Sequence, residues 1–72
     1  MLRRHCVSIL MPVYNEEEFV ATAITRVLQA PLPAGMDREL IVVDDGSTDG
    51  STEIVMSIAQ EHPGVIRFIR HP

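Results

Sequence analysis

Short apolar runs alternate along the chain with longer amphipathic stretches. "VSILM", Val7 to Met11, is almost wholly apolar, partly β-branched and closed by Pro12. Such a run predicts a strand buried on both faces, as in a parallel sheet. Pro12 suits its end, because proline has no N–H to give to a ladder. In "NEEEFVATAITRVLQA", the residues Phe19, Val20, Ala23, Ile24, Val27 and Leu28 recur at helical spacing and form one continuous face. Asn15 is the expected N-cap, with Glu18 three residues on, as in a capping box. The first turn then carries three acids, which the positive end of the helix dipole favours. Pro31 and Pro33 stop this helix near Ala30, and "PLPAGMD" follows as a loop.

Glu39 to Asp44, "ELIVVD", reads as a second buried strand that runs into the polar turn "DGSTDG". Gly46 is expected to supply a positive φ there. A second helix starts within "STDGSTE", carries Ile54, Val55, Ile58 and Ala59 on one face, and ends at "HPG". Val65 to Ile69, "VIRFI", is the third strand. The order β-α-β-α-β implies an α/β fold with a parallel sheet and right-handed helical crossovers. It amounts to half of a doubly wound, Rossmann-like sheet, so residues 1–72 form a single partial domain. Loops at the carboxyl ends of such strands bind ligands. "PVYNE" and "DDGSTDG" both lie at those ends and should converge on one rim.

Composition narrows the ligand. The chain has 72 residues and a net charge of −4, with six arginines and no lysine. Nucleic-acid binding needs clustered cations, and Arg3 with Arg4 is too little to make a basic arm. The single cysteine, Cys6, cannot form an internal disulfide and reads as a strand-end or core residue. No apolar run approaches the ~20 residues that span a bilayer. The N-terminus is better read as a strand than as a signal peptide, because polar residues and three glutamates follow its short apolar run. A cytoplasmic setting is expected, compatible with the cytoplasmic face of a membrane in a longer protein.

The rim carries Glu16, Asp44 and Asp45, with no Walker lysine and no GxGxxG. Carboxylates repel a bare diphosphate but accept hydrogen bonds from a ribose hydroxyl or a base imino N–H. Tyr14 offers a flat face for a base, worth roughly 1–3 kcal/mol in single-stranded nucleic-acid sites. The combination points to a nucleoside pocket. Adjacent strand residues face opposite ways, so Asp44 and Asp45 should not share a task. If Asp44 still follows the strand, it can tie the loops through backbone N–H groups and leave Asp45 freer to reach a base; the reverse assignment is the alternative. Blander roles exist beside these. Glu17 and Glu18 suit a helix start, Tyr14 can cover the strand end, and Asp49 or Ser51 can cap the second helix. His5, His62 and His71 show no metal-ligand spacing and read as surface residues.

"VSILMPVYNEEEFVATAITRVL" followed by "ELIVVDDGSTDGSTEIV" resembles the N-terminal part of the inverting family 2 glycosyltransferases of GT-A fold. The likeness runs from Cys6 to Pro72, and the polyprenyl-phosphate sugar transferases are the most similar branch. It implies a UDP- or GDP-linked sugar donor, a divalent metal (Mg²⁺ or Mn²⁺) and a membrane-associated lipid acceptor. By the same likeness Pro12 and Tyr14 flank the base, Glu16 meets the ribose or base edge, and Asp45, with Asp44 beside it, accepts from the base imino group. The family's metal-binding Asp-x-Asp motif and its general-base carboxylate come after the third strand, and no residue here matches either. The expectation is therefore a fragment with no catalytic residue of its own, inactive in transfer. Because the family's first strand is internal, Val7–Met11 should be an open edge here, inviting a homo-oligomer.

Two other readings start from the same residues. A phosphoacceptor receiver domain places its acidic pair after the first strand and an aspartate after the third, where this chain has Arg70. A nucleotidyltransferase wants a glycine-rich basic loop in place of "PVYNEEE". A third possibility is a nucleotide-binding module without chemistry.

Overall fold

The computed structural model describes residues 5–71, and Arg3 and Arg4 lie outside that range. Its elements are β1 (His5–Val13), α1 (Val20–Gln29), β2 (Met36–Asp45), α2 (Ser51–Glu61) and β3 (Ile66–His71). The three strands are parallel and ordered β1-β2-β3, with Ile9 opposite Leu40 and Leu40 opposite Ile66. Read from the other side, that is the 3-2-1 half of the doubly wound order. A receiver sheet would instead place its first strand between the second and third.

Each strand extends beyond its apolar run, since ladder pairing continues wherever a partner backbone is in register. Pro12 thus sits inside β1, opposite Val43 on β2. It is tolerated because β1 is an edge strand among the described residues. Cys6 is the second residue of β1 and is exposed.

Val13, Leu40, Val42 and Ile66 point to one face of the sheet and pack with Val20 and Ile24 of α1 and Val55 of α2. These seven side chains are the buried apolar core, each worth about 1.5–3 kcal/mol when fully buried. Ile9, Met11, Val27, Leu28, Ile54, Ile58, Ala59 and Phe68 surround it, half-buried. The helical face expected from sequence is thus present, with one exception: Phe19 is 67 % exposed and precedes the helix. Arg38 of β2 closes the other end of α1 by donating to the carbonyls of Val27 and Ala30, groups that a helix end leaves unpaired.

The opposite face corrects the expectation of strands buried on both sides. Both helices lie on the core face, as right-handed crossovers in a constant direction require. The other face presents Leu10, Pro12, Ile41, Val43 and Ile69, with Leu10 68 % and Ile69 47 % exposed. Glu39 and Arg67 pair at 3.7 Å along its margin.

Candidate functional site

The carboxyl ends of β1 and β2 release two loops, residues 14–19 and 46–50, and these are bound to each other. Three consecutive amides of the first loop donate to side chains of the second loop and of the residue that opens α2: Asn15 N–H to Ser47 Oγ (3.0 Å), Glu16 N–H to Ser51 Oγ (2.8 Å) and Glu17 N–H to Asp49 Oδ2 (3.3 Å). Three consecutive amides of the second loop answer. Thr48 and Asp49 donate to Asn15 Oδ1 at 2.7 and 3.3 Å, and Gly50 donates to Glu17 Oε2 at 3.2 Å. The loops expected to meet on one rim do meet, through backbone groups that each turn leaves unpaired within itself.

This lacing explains where α1 begins. Asn15 is not its N-cap. Asn15 has φ 48°, and its side chain serves the other loop. The chain instead turns through residues 17–19, with Glu16 O accepting from Phe19 and Val20, and the helix starts at Val20 with no acid in its first turn. The expected acidic first turn is therefore corrected: Glu16, Glu17 and Glu18 belong to the loop. The amides of residues 48–51, where an anion would otherwise sit before α2, already have protein acceptors, Ser51 N–H going to Asp49 Oδ1 at 2.9 Å. These amides offer no phosphate cradle.

Asp44 and Asp45 separate as strand geometry demands. Asp44 lies on the core face and is fully buried. Its Oδ1 accepts Ser47 N–H at 2.9 Å and its Oδ2 accepts the Thr52 hydroxyl. Burial pushes this carboxyl up, but the hydrogen bonds from Ser47 and Thr52 and the nearby Arg70 guanidinium outweigh it, leaving Asp44 below the ordinary carboxylate value. Asp49 is also held below it, chiefly by the Ser51 hydrogen bond. Gly46 has φ 78°, as expected of the turn.

Asp45 projects from the other face, exposed, with Pro12 one strand away and two residues back in register. Tyr14 is 58 % exposed just past the end of β1, and Glu16 is exposed beyond it. A shallow hollow of ≈ 180 Å³ lies between Glu16 and Asp49. Sequence reasoning missed two residues that β3 brings to this rim. His71 Nδ1 stands 3.4 Å from Asp45 Oδ1, and Arg70 donates to Ser47 O at 3.4 Å. The signal for both was the register of a third parallel strand, which the apolar run "VIRFI" alone does not extend that far.

These features define a Rossmann-like β-α-β-α-β arrangement with a braced polar rim. The model of the family described as "Glycosyl transferase family 2" matches residues 8–72, and the chain belongs to that family. It is 42 % identical over 57 residues to an undecaprenyl-phosphate 4-deoxy-4-formamido-L-arabinose transferase of Pseudomonas fluorescens, an alignment covering 79 % of this chain and 17 % of the relative. The corresponding transferase of Pectobacterium carotovorum is 46 % identical over 55 residues, covering 76 % and 17 %. A mannosyltransferase from Pyrobaculum calidifontis, solved with GDP-Man and Mn²⁺, superposes with a TM-score of 0.78 at 27 % identity over 96 % of this chain and 20 % of its own. The fold is thus the N-terminal, Rossmann-like part of GT-A. The chain spans about a sixth of the length of these curated relatives. Among the described residues no group of three His, Cys, Asp or Glu side chains could hold a metal ion, and no helix is long and apolar enough to cross a membrane.

Proposed function

We propose that this rim is the nucleoside-binding front of an inverting glycosyltransferase that moves a sugar from a UDP- or GDP-linked donor to a polyprenyl phosphate. The observation that carries the reading is the juxtaposition on one rim of an exposed aromatic ring, Tyr14, with an exposed carboxylate, Asp45, beside amides already taken by protein acceptors. Tyr14 and Pro12 would flank the base, Asp45 would accept from its imino N–H, and Glu16 from a ribose hydroxyl. Asp44 acts from beneath, holding the turn that presents Asp45. The GDP-Man in the mannosyltransferase and the lipid phosphate in the names of the transferases support donor and acceptor.

The divalent metal that accompanies such donors, Mg²⁺ or Mn²⁺, would supply charge neutralisation at the diphosphate. Among the described residues no three His, Cys, Asp or Glu side chains make a site for it, and the role proposed for these residues is to bind and orient the nucleoside. By this reading the 72-residue chain binds nucleotide without transferring sugar, and a longer protein carrying it would work at the cytoplasmic face of a membrane. The edge of β1, unpaired among the described residues, and the apolar face beside it support association with a second copy of the chain.

Titration of the 72-residue chain with UDP and GDP, with and without Mn²⁺, followed by NMR, tests the reading. Shifts centred on residues 12–16 and 44–47, little changed by Mn²⁺, are expected. A well-dispersed spectrum that neither nucleotide perturbs would sink it.

A further inference from the structure

We infer that Asn15 is the positioning residue of this pocket, setting the distance between the Tyr14 ring and the Asp45 carboxylate; this rests on the nucleoside reading above. Asn15 adjoins both Tyr14 and Glu16, and it sits at the centre of the lacing. Its Oδ1 takes Thr48 N–H, Asp49 N–H and, at 3.4 Å, the Thr48 hydroxyl. Its own N–H goes to Ser47 Oγ, and Ser47 N–H goes to Asp44. An unbroken path therefore runs from Tyr14 through Asn15 and Ser47 to Asp44, whose neighbour is Asp45.

The residue type follows from two demands made at once. The backbone at position 15 lies in the left-handed region, φ 48°, which asparagine, aspartate and glycine enter most readily. The side chain must also present an oxygen to two amides. Glycine meets the first demand only. Aspartate meets both, though it adds a charge to a rim that already holds Glu16, Glu17, Asp45 and Asp49. Asparagine satisfies both without that charge. The two demands can be separated experimentally for the same reason.

Asn15→Gly keeps the backbone conformation and deletes the acceptor. It is expected to weaken GDP or UDP binding by the 72-residue chain about tenfold, the loss that one or two hydrogen bonds predict. Exchange of the Thr48 and Asp49 amides should quicken in the same variant, with the remaining spectrum preserved. Asn15→Asp should restore slow exchange and recover most of the affinity. A purely structural role would quicken those two amides but leave nucleotide affinity unchanged. Ser47→Ala, which deletes the acceptor of the Asn15 N–H, serves if Asn15→Gly does not fold, and should weaken binding likewise. Wild-type binding left unchanged by either folded variant overturns the role of Asn15. Absence of binding by a folded wild-type chain overturns the pocket itself, and the inference with it.

Discussion

Ser47 N–H donates to Asp44 Oδ1 at 2.9 Å, reaching back from the turn to the penultimate residue of β2. With the Thr52 hydroxyl on the other oxygen, one buried side chain joins the end of β2, the turn and the first turn of α2. Asp44→Ala strips the acceptor from both buried donors, and an unsatisfied buried donor costs about 1–3 kcal/mol. Asp44→Asn keeps an oxygen for Ser47 but presents a donor to Thr52, so the hydroxyl must turn round. Urea denaturation should rank stability as wild type, then Asn, then Ala. An Ala variant within about 0.5 kcal/mol of wild type, the range of surface changes, would refute the brace.

Acid should dissolve the same brace. Asp44 titrates below its ordinary value in the folded chain, so the unfolded chain binds its proton more readily. The stabilisation is therefore complete above the ordinary aspartate range near pH 4 and disappears as pH falls through the lower, folded value. Asp49 acts in the same sense, though as a surface group it contributes less. Denaturation midpoints measured from neutral pH down to about pH 2 should fall on this limb for wild type, and fall less steeply for Asp44→Asn. Parallel curves for the two proteins would exclude Asp44 as a source of the acid sensitivity.

Much of this was legible in the amino-acid sequence. The five elements follow from the switch between apolar runs and helical spacing, and the opposed directions of Asp44 and Asp45 follow from strand pleating. The start of α1 was not legible. Local propensity favours Asn15 as an N-cap, but its oxygen is taken by amides 33 and 34 residues away, and no local rule registers so distant a partner. Phe19 matched the helical spacing, yet the turn set up by that lacing left it outside. His71 and Arg70 reached the rim through register with β2, opposite Asp45 and Asp44. The bare face was likewise hidden, because an apolar run of strand type is the same whether one side or both are covered.

The two residues assigned to the base should behave differently from the brace beneath them. Tyr14 is 58 % exposed and Asp45 is exposed, so neither Tyr14→Ala nor Asp45→Asn should change stability appreciably. Loss of the ring should weaken nucleotide binding by roughly 1–3 kcal/mol, the usual contribution of base–aromatic stacking. Asp45→Asn should weaken it less, and selectively for bases that carry an imino N–H, so that GDP and UDP suffer while ADP does not. Calorimetric titration of the three nucleotides against both variants checks this. Equal losses for ADP and GDP with Asp45→Asn would remove Asp45 from base recognition.

β1 leaves one edge unpaired among the described residues, and Leu10 on that strand is 68 % exposed on the bare face. Edge strands that avoid association carry lysines, bulges or a covering segment. β1 carries no lysine, and Pro12 blunts only its last turn toward the rim. A second copy can pair with β1 about a two-fold axis, which makes the pairing antiparallel and brings the bare faces of both sheets into one continuous surface. Leu10→Lys places a charge within that surface without touching the core, since residue 10 faces away from both helices. Sedimentation across a range of concentrations should show wild type associating and Leu10→Lys shifted towards monomer, with nucleotide affinity per chain retained. A wild-type chain that stays monomeric at high concentration would show that the open edge alone does not suffice for pairing.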